Sequence, residues 1–181
     1  MLLVVDNGSV YTSSLLDCIK NIDVSFEYHV FSDVPSLDLG NYSSIMLSGR
    51  RKNNSDMNMI NSKLVRHSLD TGKPLLGICY GAEILALTLG GTIKKMATSR
   101  HGLYKIQITK NNPLCSGNID AFESHSYMIS KLGSSFIPLA SSDDCKFEVF
   151  QCGTKNIFGT QFHPEMSADG KSLLERFCAI K

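Results

Sequence analysis

Cys79 has a glycine two residues to either side, in Gly77-Ile78-Cys79-Tyr80-Gly81. The apolar run Leu75 to Ile78 precedes it, and an apolar helical pattern, Ala82 to Leu89, follows. Gly-x-nucleophile-x-Gly between a strand and a helix is the pattern of a nucleophile elbow, a turn too sharp for side chains at the glycine positions. Such a turn lifts a thiol above the C-terminal edge of a sheet. It also sets the thiol at a helix N-terminus, where the helix dipole favours the reactive thiolate. The amide of Tyr80 would then point at a developing oxyanion. The bland alternative is an inert buried cysteine between packing glycines.

The second chemical segment is Gln161-Phe162-His163-Pro164-Glu165, after the apolar run Ile157 to Thr160. Pro164 biases His163 toward an extended conformation. Residues two apart in an extended chain share a side, so His163 and Glu165 are expected to act together at a strand end. Glu165 would orient the imidazole, and His163 would take the thiol proton and pass it to a leaving amine. That is a nucleophile–base–orienter triad in the chain order Cys, His, Glu. Standing alone, a histidine beside a proline reads equally as a loop residue.

Together the two segments resemble class I glutamine amidotransferases. The resemblance runs along nearly the whole chain, through Asp6-Asn7-Gly8-Ser9-Val10-Tyr11-Thr12, Leu47-Ser48-Gly49, the elbow, Ser124-His125-Ser126 and the segment ending in Glu165, in family order. The first and fourth pieces look most like the amidotransferase subunit or domain of GMP synthase. The resemblance implies attack of Cys79 on the side-chain amide of L-glutamine, departure of ammonia and hydrolysis of a glutamyl thioester. It also implies transfer of the ammonia to a synthetase. No Gly-x-x-x-x-Gly-Lys-Ser/Thr signature is present. The ATP-dependent acceptor chemistry is therefore expected on a separate subunit, and no cofactor is expected here.

Two departures from the family pattern fall in the expected pocket. Where the family commonly has Gly-Gly-Pro, completing the oxyanion hole with a backbone amide, this chain has Gly49-Arg50-Arg51. Arg50 either reaches into the site or is one of two solvated loop arginines. Four residues after the nucleophile the family usually has Gln, and this chain has Glu83. A carboxylate only accepts hydrogen bonds when ionised, whereas Gln also donates. Glu83 either opposes the thiolate and selects an amine-bearing substrate, or keeps the family contact through one oxygen. Ala82, where the GMP synthase type often carries His, is given little weight. The resemblance makes Ser124-His125-Ser126-Tyr127 a substrate-side loop, with His125 non-catalytic. The expected site is thus Cys79, His163 and Glu165, with Gly49, Arg50, Tyr80, Glu83, Ser124, His125 and Ser126 around the substrate.

These residues need elements to position them. Short apolar runs at Leu2–Val5, Phe26–Phe31, Ser44–Leu47 and Leu75–Ile78 read as strands, interleaved with helical patterns at Ser13–Lys20, Met57–Val65 and Ala82–Leu89. Ser55 or Asp56 is the expected N-cap of the second helix, and Gly72-Lys73-Pro74 its stop. Strands at Leu103–Thr109, Phe136–Ala140, Phe147–Gln151 and Ile157–Phe162 follow, with a closing helix over Lys171–Cys178. Strand–helix alternation with continuous apolar strands predicts an α/β fold. The expectation is a single domain over 1–181, flavodoxin-like, with a mostly parallel central sheet, flanking helices and an antiparallel extension in the second half.

The bulk properties narrow the function class. The 181 residues are 43% hydrophobic and 19% charged, with a net charge of +1. No strong field is available to draw nucleic acid or an anionic membrane. No apolar run approaches the roughly 18 residues of a membrane span, and no leader pattern is seen at the start. Six cysteines without Cys-x-x-Cys pairing read as free thiols in a reducing, cytoplasmic setting. No His/Cys/Asp/Glu cluster suggests a metal site. Two other functions are compatible with the same residues: a stand-alone hydrolase of γ-glutamyl or other small amides, and a non-catalytic ligand-binding protein.

Overall fold

In the computed structural model, which describes residues 1–180, four largely buried segments with apolar centres lie side by side. They are β1 (Leu2–Asn7), β3 (Ser44–Arg50), β4 (Leu75–Ile78) and β9 (Ile157–Thr160), and they run parallel. Strand β2 (Phe26–Val30) adds a fifth parallel strand outside β1. On the other side of β9 come β8 (Val149–Cys152), β7 (Phe136–Ser141), β5 (Thr92–Ile108) and β6 (Asn118–Lys131), all antiparallel. The order across the sheet is β2-β1-β3-β4-β9-β8-β7-β5-β6. The α/β architecture is the one expected, although the antiparallel part is as broad as the parallel part.

Buried parallel strands must be covered on both faces. Leu2 and Val4 of β1 face one apolar cluster, with Leu15 and Ile19 of α1 (Thr12–Lys20) and Leu173, Leu174 and Phe177 of α4 (Ala168–Cys178). Leu3 and Val5 face the other, with Met57, Leu64 and Val65 of α2 (Ser55–Thr71) and Leu85 of α3 (Tyr80–Thr88). The period-2 alternation of a strand thus feeds two helix layers.

Three local expectations are corrected. The N-cap of α2 is Asn54, not Ser55 or Asp56: its Oδ1 accepts from the Met57 amide at 2.9 Å. Strand β5 begins eleven residues before the expected Leu103. Its register slips between Lys95 and Arg100, which breaks the alternation that would betray a strand. Residues 124–127, expected as a loop, lie within β6. There the inward positions after Ile119 and Ala121 are Glu123 and His125, so the buried face continues in charged residues.

At the C-terminal edge of the parallel strands a buried amide pair joins sheet to helix. Asn61 Nδ2 donates to Asn7 Oδ1 at 2.7 Å, and Asn7 Nδ2 donates to Asn61 Oδ1 at 3.2 Å and to the Ser48 carbonyl at 3.1 Å. Replacing Asn61 by Ala leaves the buried Asn7 amide short of a partner. The substitution is expected to cost about 1–3 kcal/mol in urea unfolding, with an unchanged m-value.

Candidate active site

Among the described residues, Cys79 is the single non-glycine residue with positive φ, at 50° with ψ −101°. Such a conformation costs on the order of 1–3 kcal/mol and survives only where surrounding structure imposes it. Here the Cys79 amide donates to the Thr160 carbonyl at 2.7 Å, tying the turn to β9. A Cβ on Gly77 would lie 2.4 Å from the Gly81 carbonyl, and one on Gly81 would lie 2.4 Å from that of Leu47. Both flanking glycines are therefore sterically required, as the elbow pattern predicts. Tyr80 opens α3, so its amide has no intrahelical partner.

His163 is brought to Cys79 by strand pairing. Gly77 lies opposite Gly159 and Ile78 opposite Thr160, so the ends of β4 and β9 leave the sheet side by side. The His163 amide donates to the Phe122 carbonyl at 2.8 Å, pinning the segment to β6. His163 is extended, at φ −98° and ψ 95°, as Pro164 requires. Glu165, by contrast, sits in a 3-10 turn over Pro164–Met166 rather than on an extended strand end. The turn still folds the carboxylate back onto the ring: His163 Nδ1 and Glu165 Oε1 are 2.7 Å apart. Cys79 is the other neighbour whose side chain acts on the imidazole. Burial opposes the charged imidazolium, but the Cys79 sulfur and the Glu165 carboxylate outweigh it and push His163 up to about 10. The ring is thus arranged to hold a proton at neutral pH.

Two further residues confine the ring. A Cβ on Gly49 would lie 2.8 Å from His163 Cε1, so this glycine is needed for the imidazole as much as for any backbone amide it presents. Tyr11 packs edge-on to His163 with centroids 4.6 Å apart, and its hydroxyl donates to Ser124 Oγ at 3.0 Å. Tyr11 was not expected in the site. Its place in the Asp6–Thr12 segment, which returns to the edge where Cys79 lies, is the signal that could have found it.

Cys79 opens into a cleft of about 320 Å³ lined by Arg50, Tyr80, Glu83, Ser124, His125 and Ser126, among others. Arg50 reaches in: its guanidinium carbon lies 4.3 Å from the centre of the Tyr80 ring, and Nη2 is 3.8 Å from Glu83 Oε2. Arg51 stays exposed. Tyr80 donates its hydroxyl to Asn58 Oδ1 at 2.8 Å, and Arg50 Nη1 donates to the same oxygen at 3.3 Å. Burial pushes the Glu83 carboxyl up, while the Arg50 and His125 charges pull it down.

His125 lines the cleft but is not free to act as a base. Nδ1 faces the Tyr127 carbonyl and Nε2 faces Glu123 Oε2, each at 2.7 Å. Behind it, Arg100 Nη1 donates to Glu123 Oε1 at 2.6 Å and to Glu148 Oε1 at 3.3 Å, while Nη2 donates to Asp144 at 2.8 Å. Burial, and then the Glu123 charge, raise the Glu148 carboxyl to about 8. Among the described residues no group of three or more His, Cys, Asp or Glu side chains is placed to hold a metal ion. Among them, too, no helix is long and apolar enough to cross a membrane.

A family model described as glutamine amidotransferase class-I matches residues 3–180. The chain belongs to the class I glutamine amidotransferases. It is 31% identical to a glutamine-hydrolysing GMP synthase subunit of Methanocaldococcus jannaschii, over 99% of this chain and 97% of that one. To the glutamine-hydrolysing GMP synthase of Klebsiella pneumoniae it is 27% identical over 97% of this chain, and it spans only 36% of that protein's length. A crystal structure described as a candidate GMP synthase subunit of Thermoplasma acidophilum superposes with a TM-score of 0.85 at 27% identity, covering 98% of this chain and 91% of that one. A glutamine amidotransferase of Thermotoga maritima shares the fold, with a TM-score of 0.78 at 18% identity over 99% of this chain and 98% of that one.

Gly49→Ala is expected to displace the His163 ring. Alkylation of Cys79 at neutral pH should slow by about tenfold to a hundredfold while the circular dichroism spectrum stays unchanged. Glu148 yields a pH prediction. Its folded-state pKa is raised, so its contribution to stability is fully present below the ordinary carboxylate pKa and is lost as pH rises through about 8. Glu148→Gln stays neutral throughout, so its Tm should gain on that of the unsubstituted protein as pH rises from about 5 to about 8.

Proposed function

We propose that this chain hydrolyses the side-chain amide of L-glutamine through a thioester on Cys79 and delivers the ammonia to an ATP-dependent synthetase on a separate chain. The observation that carries this reading is the grouping of Cys79, His163 and Glu165 at the C-terminal edge of the parallel strands, with Glu165 Oε1 2.7 Å from His163 Nδ1. The Cys79 thiolate attacks the amide carbon, and the oxyanion is met by the Tyr80 amide and a backbone amide at Gly49–Arg50. Imidazolium His163 donates its proton to the leaving nitrogen as the carbon–nitrogen bond breaks, and ammonia departs. Neutral His163 then takes a proton from water, which attacks the thioester. Glutamate leaves, and the thiolate–imidazolium pair is restored. Glu165 orients Nδ1–H throughout and balances the ring's charge.

The acceptor assignment rests on the relatives. The Methanocaldococcus jannaschii protein is a GMP synthase subunit of nearly this length, and the Klebsiella pneumoniae protein is a longer GMP synthase. By that analogy residues 1–181 act as one amidotransferase domain in the cytoplasm, with GMP synthesis as the pathway. A second reading, stand-alone hydrolysis of γ-glutamyl or other small amides, is favoured by one observation: Arg50 and Glu83 place charges in the cleft where the family pattern has none.

Ammonia release from L-glutamine, followed with and without an ATP-dependent GMP synthetase, tests both readings. The expected result is release that rises with the synthetase, vanishes in Cys79→Ala and falls by about 10³-fold or more in His163→Ala. Absence of release with every synthetase tried, alongside normal alkylation of Cys79, would overturn the glutaminase reading and move the search to other amides.

A further inference from the structure

Arg50 and Glu83 meet in the cleft that holds Cys79, and neither satisfies the other. Their nearest atoms are 3.8 Å apart, which is too long for a hydrogen bond. The Glu83 side chain is 7% exposed. Gln161 lies near it, yet Gln161 Nε2 makes no hydrogen bond of ordinary geometry. A buried carboxylate, which can only accept, is thus left facing the cleft without a good donor. Arg50 is fixed from behind by the Tyr80 face and by Asn53 and Asn58, which both engage Nη1. Its Nη2 is left toward Glu83 and the cleft. Opposite charges held apart on rigid supports fit a ligand that carries both charges on one carbon.

We infer that Arg50 and Glu83 are a two-charge clamp for the head group of a free α-amino acid, Arg50 taking the α-carboxylate and Glu83 the α-ammonium. A head group entering between them would replace one long ion pair by two charge-assisted contacts, one of which the guanidinium can make bidentate. Placement agrees with the chemistry. Glu83 lies one helical turn after Cys79, its amide bonded to the Cys79 carbonyl at 3.0 Å. A glutamine bound by its head group at this pair would extend its side-chain amide toward the thiol. The clamp therefore selects free amino-acid γ-amides and rejects glutamine whose α-amine or α-carboxyl is blocked, as in a peptide. This rests on the glutaminase reading for the reaction, but not for the binding.

Two readouts separate the clamp from the reaction. The first is the KM for ammonia release, with the synthetase present, from L-glutamine, its Nα-acetyl derivative and its α-methyl ester. The second is protection of Cys79 from iodoacetamide by L-glutamate against Nα-acetyl-L-glutamate, which needs no turnover. The unsubstituted protein should favour the free amino acid in both. Glu83→Gln should weaken L-glutamine and L-glutamate by about 10–100-fold while leaving the Nα-acetyl compounds unchanged. Arg50→Gln should do the same for L-glutamine while leaving the α-ester unchanged. Equal loss for free and blocked compounds would make the pair merely structural and overturn the clamp, as would no loss at all. If protection follows the expected pattern but no ammonia is released, the clamp stands and the glutaminase reading falls. If ammonia is released without discrimination between free and blocked substrates, the reverse holds.

Discussion

The left-handed backbone at Cys79 is a local strain that only the surrounding sheet can impose. A chain leaving β4 must turn at once into α3, and the turn closes only if Gly77 and Gly81 have no side chains to collide with each other and with the Leu47 carbonyl. The Cys79 amide then meets the Thr160 carbonyl of the neighbouring parallel strand. That one bond sets the thiol beside the segment from β9 that carries His163 and Glu165. Parallel pairing of β3, β4 and β9 makes all three strands end at one edge, which is where open α/β sheets bind their ligands. Gly49 at the end of β3, Cys79 after β4 and His163 after β9 meet for this reason, and the strain at Cys79 goes into holding its thiol at that meeting point.

The antiparallel half supports the same edge from the far side. Strand β6 holds the His163 backbone through Phe122 and supplies Ser124 and His125 to the cleft wall. Its inner face is kept in place by charge rather than by apolar packing. His125, Glu123, Arg100 and Glu148 form a buried chain in which most groups are paired, and removing any one member would strand another in a medium of low dielectric. This arrangement also separates two histidines of similar surroundings. His163 has one nitrogen on a carboxylate and its other side toward the thiol. His125 has both ring nitrogens engaged within the fold, by the Tyr127 carbonyl and the Glu123 carboxylate, so neither is turned to the cleft.

The elbow at Cys79 and the His163–Glu165 pair were legible in the sequence because the flanking glycines and the His-Pro-Glu segment each state a backbone requirement, and backbone requirements are written locally. The parallel strands were legible because burial on both faces needs uninterrupted apolar runs such as Leu2–Val5. The hairpin of β5 and β6 was not, since its buried face turns from Ile119 and Ala121 to Glu123 and His125, and pairing of charges leaves no apolar period. The Asn54 cap was missed by one residue in a run, Asn53-Asn54-Ser55-Asp56, where every residue can cap. Where Arg50 points was also beyond the sequence. It depends on the register shift that sets Arg50 opposite Asn7 at the end of β1, and on a Tyr80 ring that α3 presents only once the elbow is formed.

Arg50 and Glu83 illustrate how two departures from a family pattern can be one. Read along the chain they are separate oddities, a charged side chain in an oxyanion loop and a carboxylate in place of an amide. In the fold they meet in the cleft that holds Cys79, 3.8 Å apart. Glu83 without Arg50 would be a nearly buried carboxylate with less opposing charge, and burial already presses it toward its neutral form. Such a pair is more readily explained as a unit than as two independent changes, because the Arg50 charge offsets part of the burial that raises the Glu83 carboxyl.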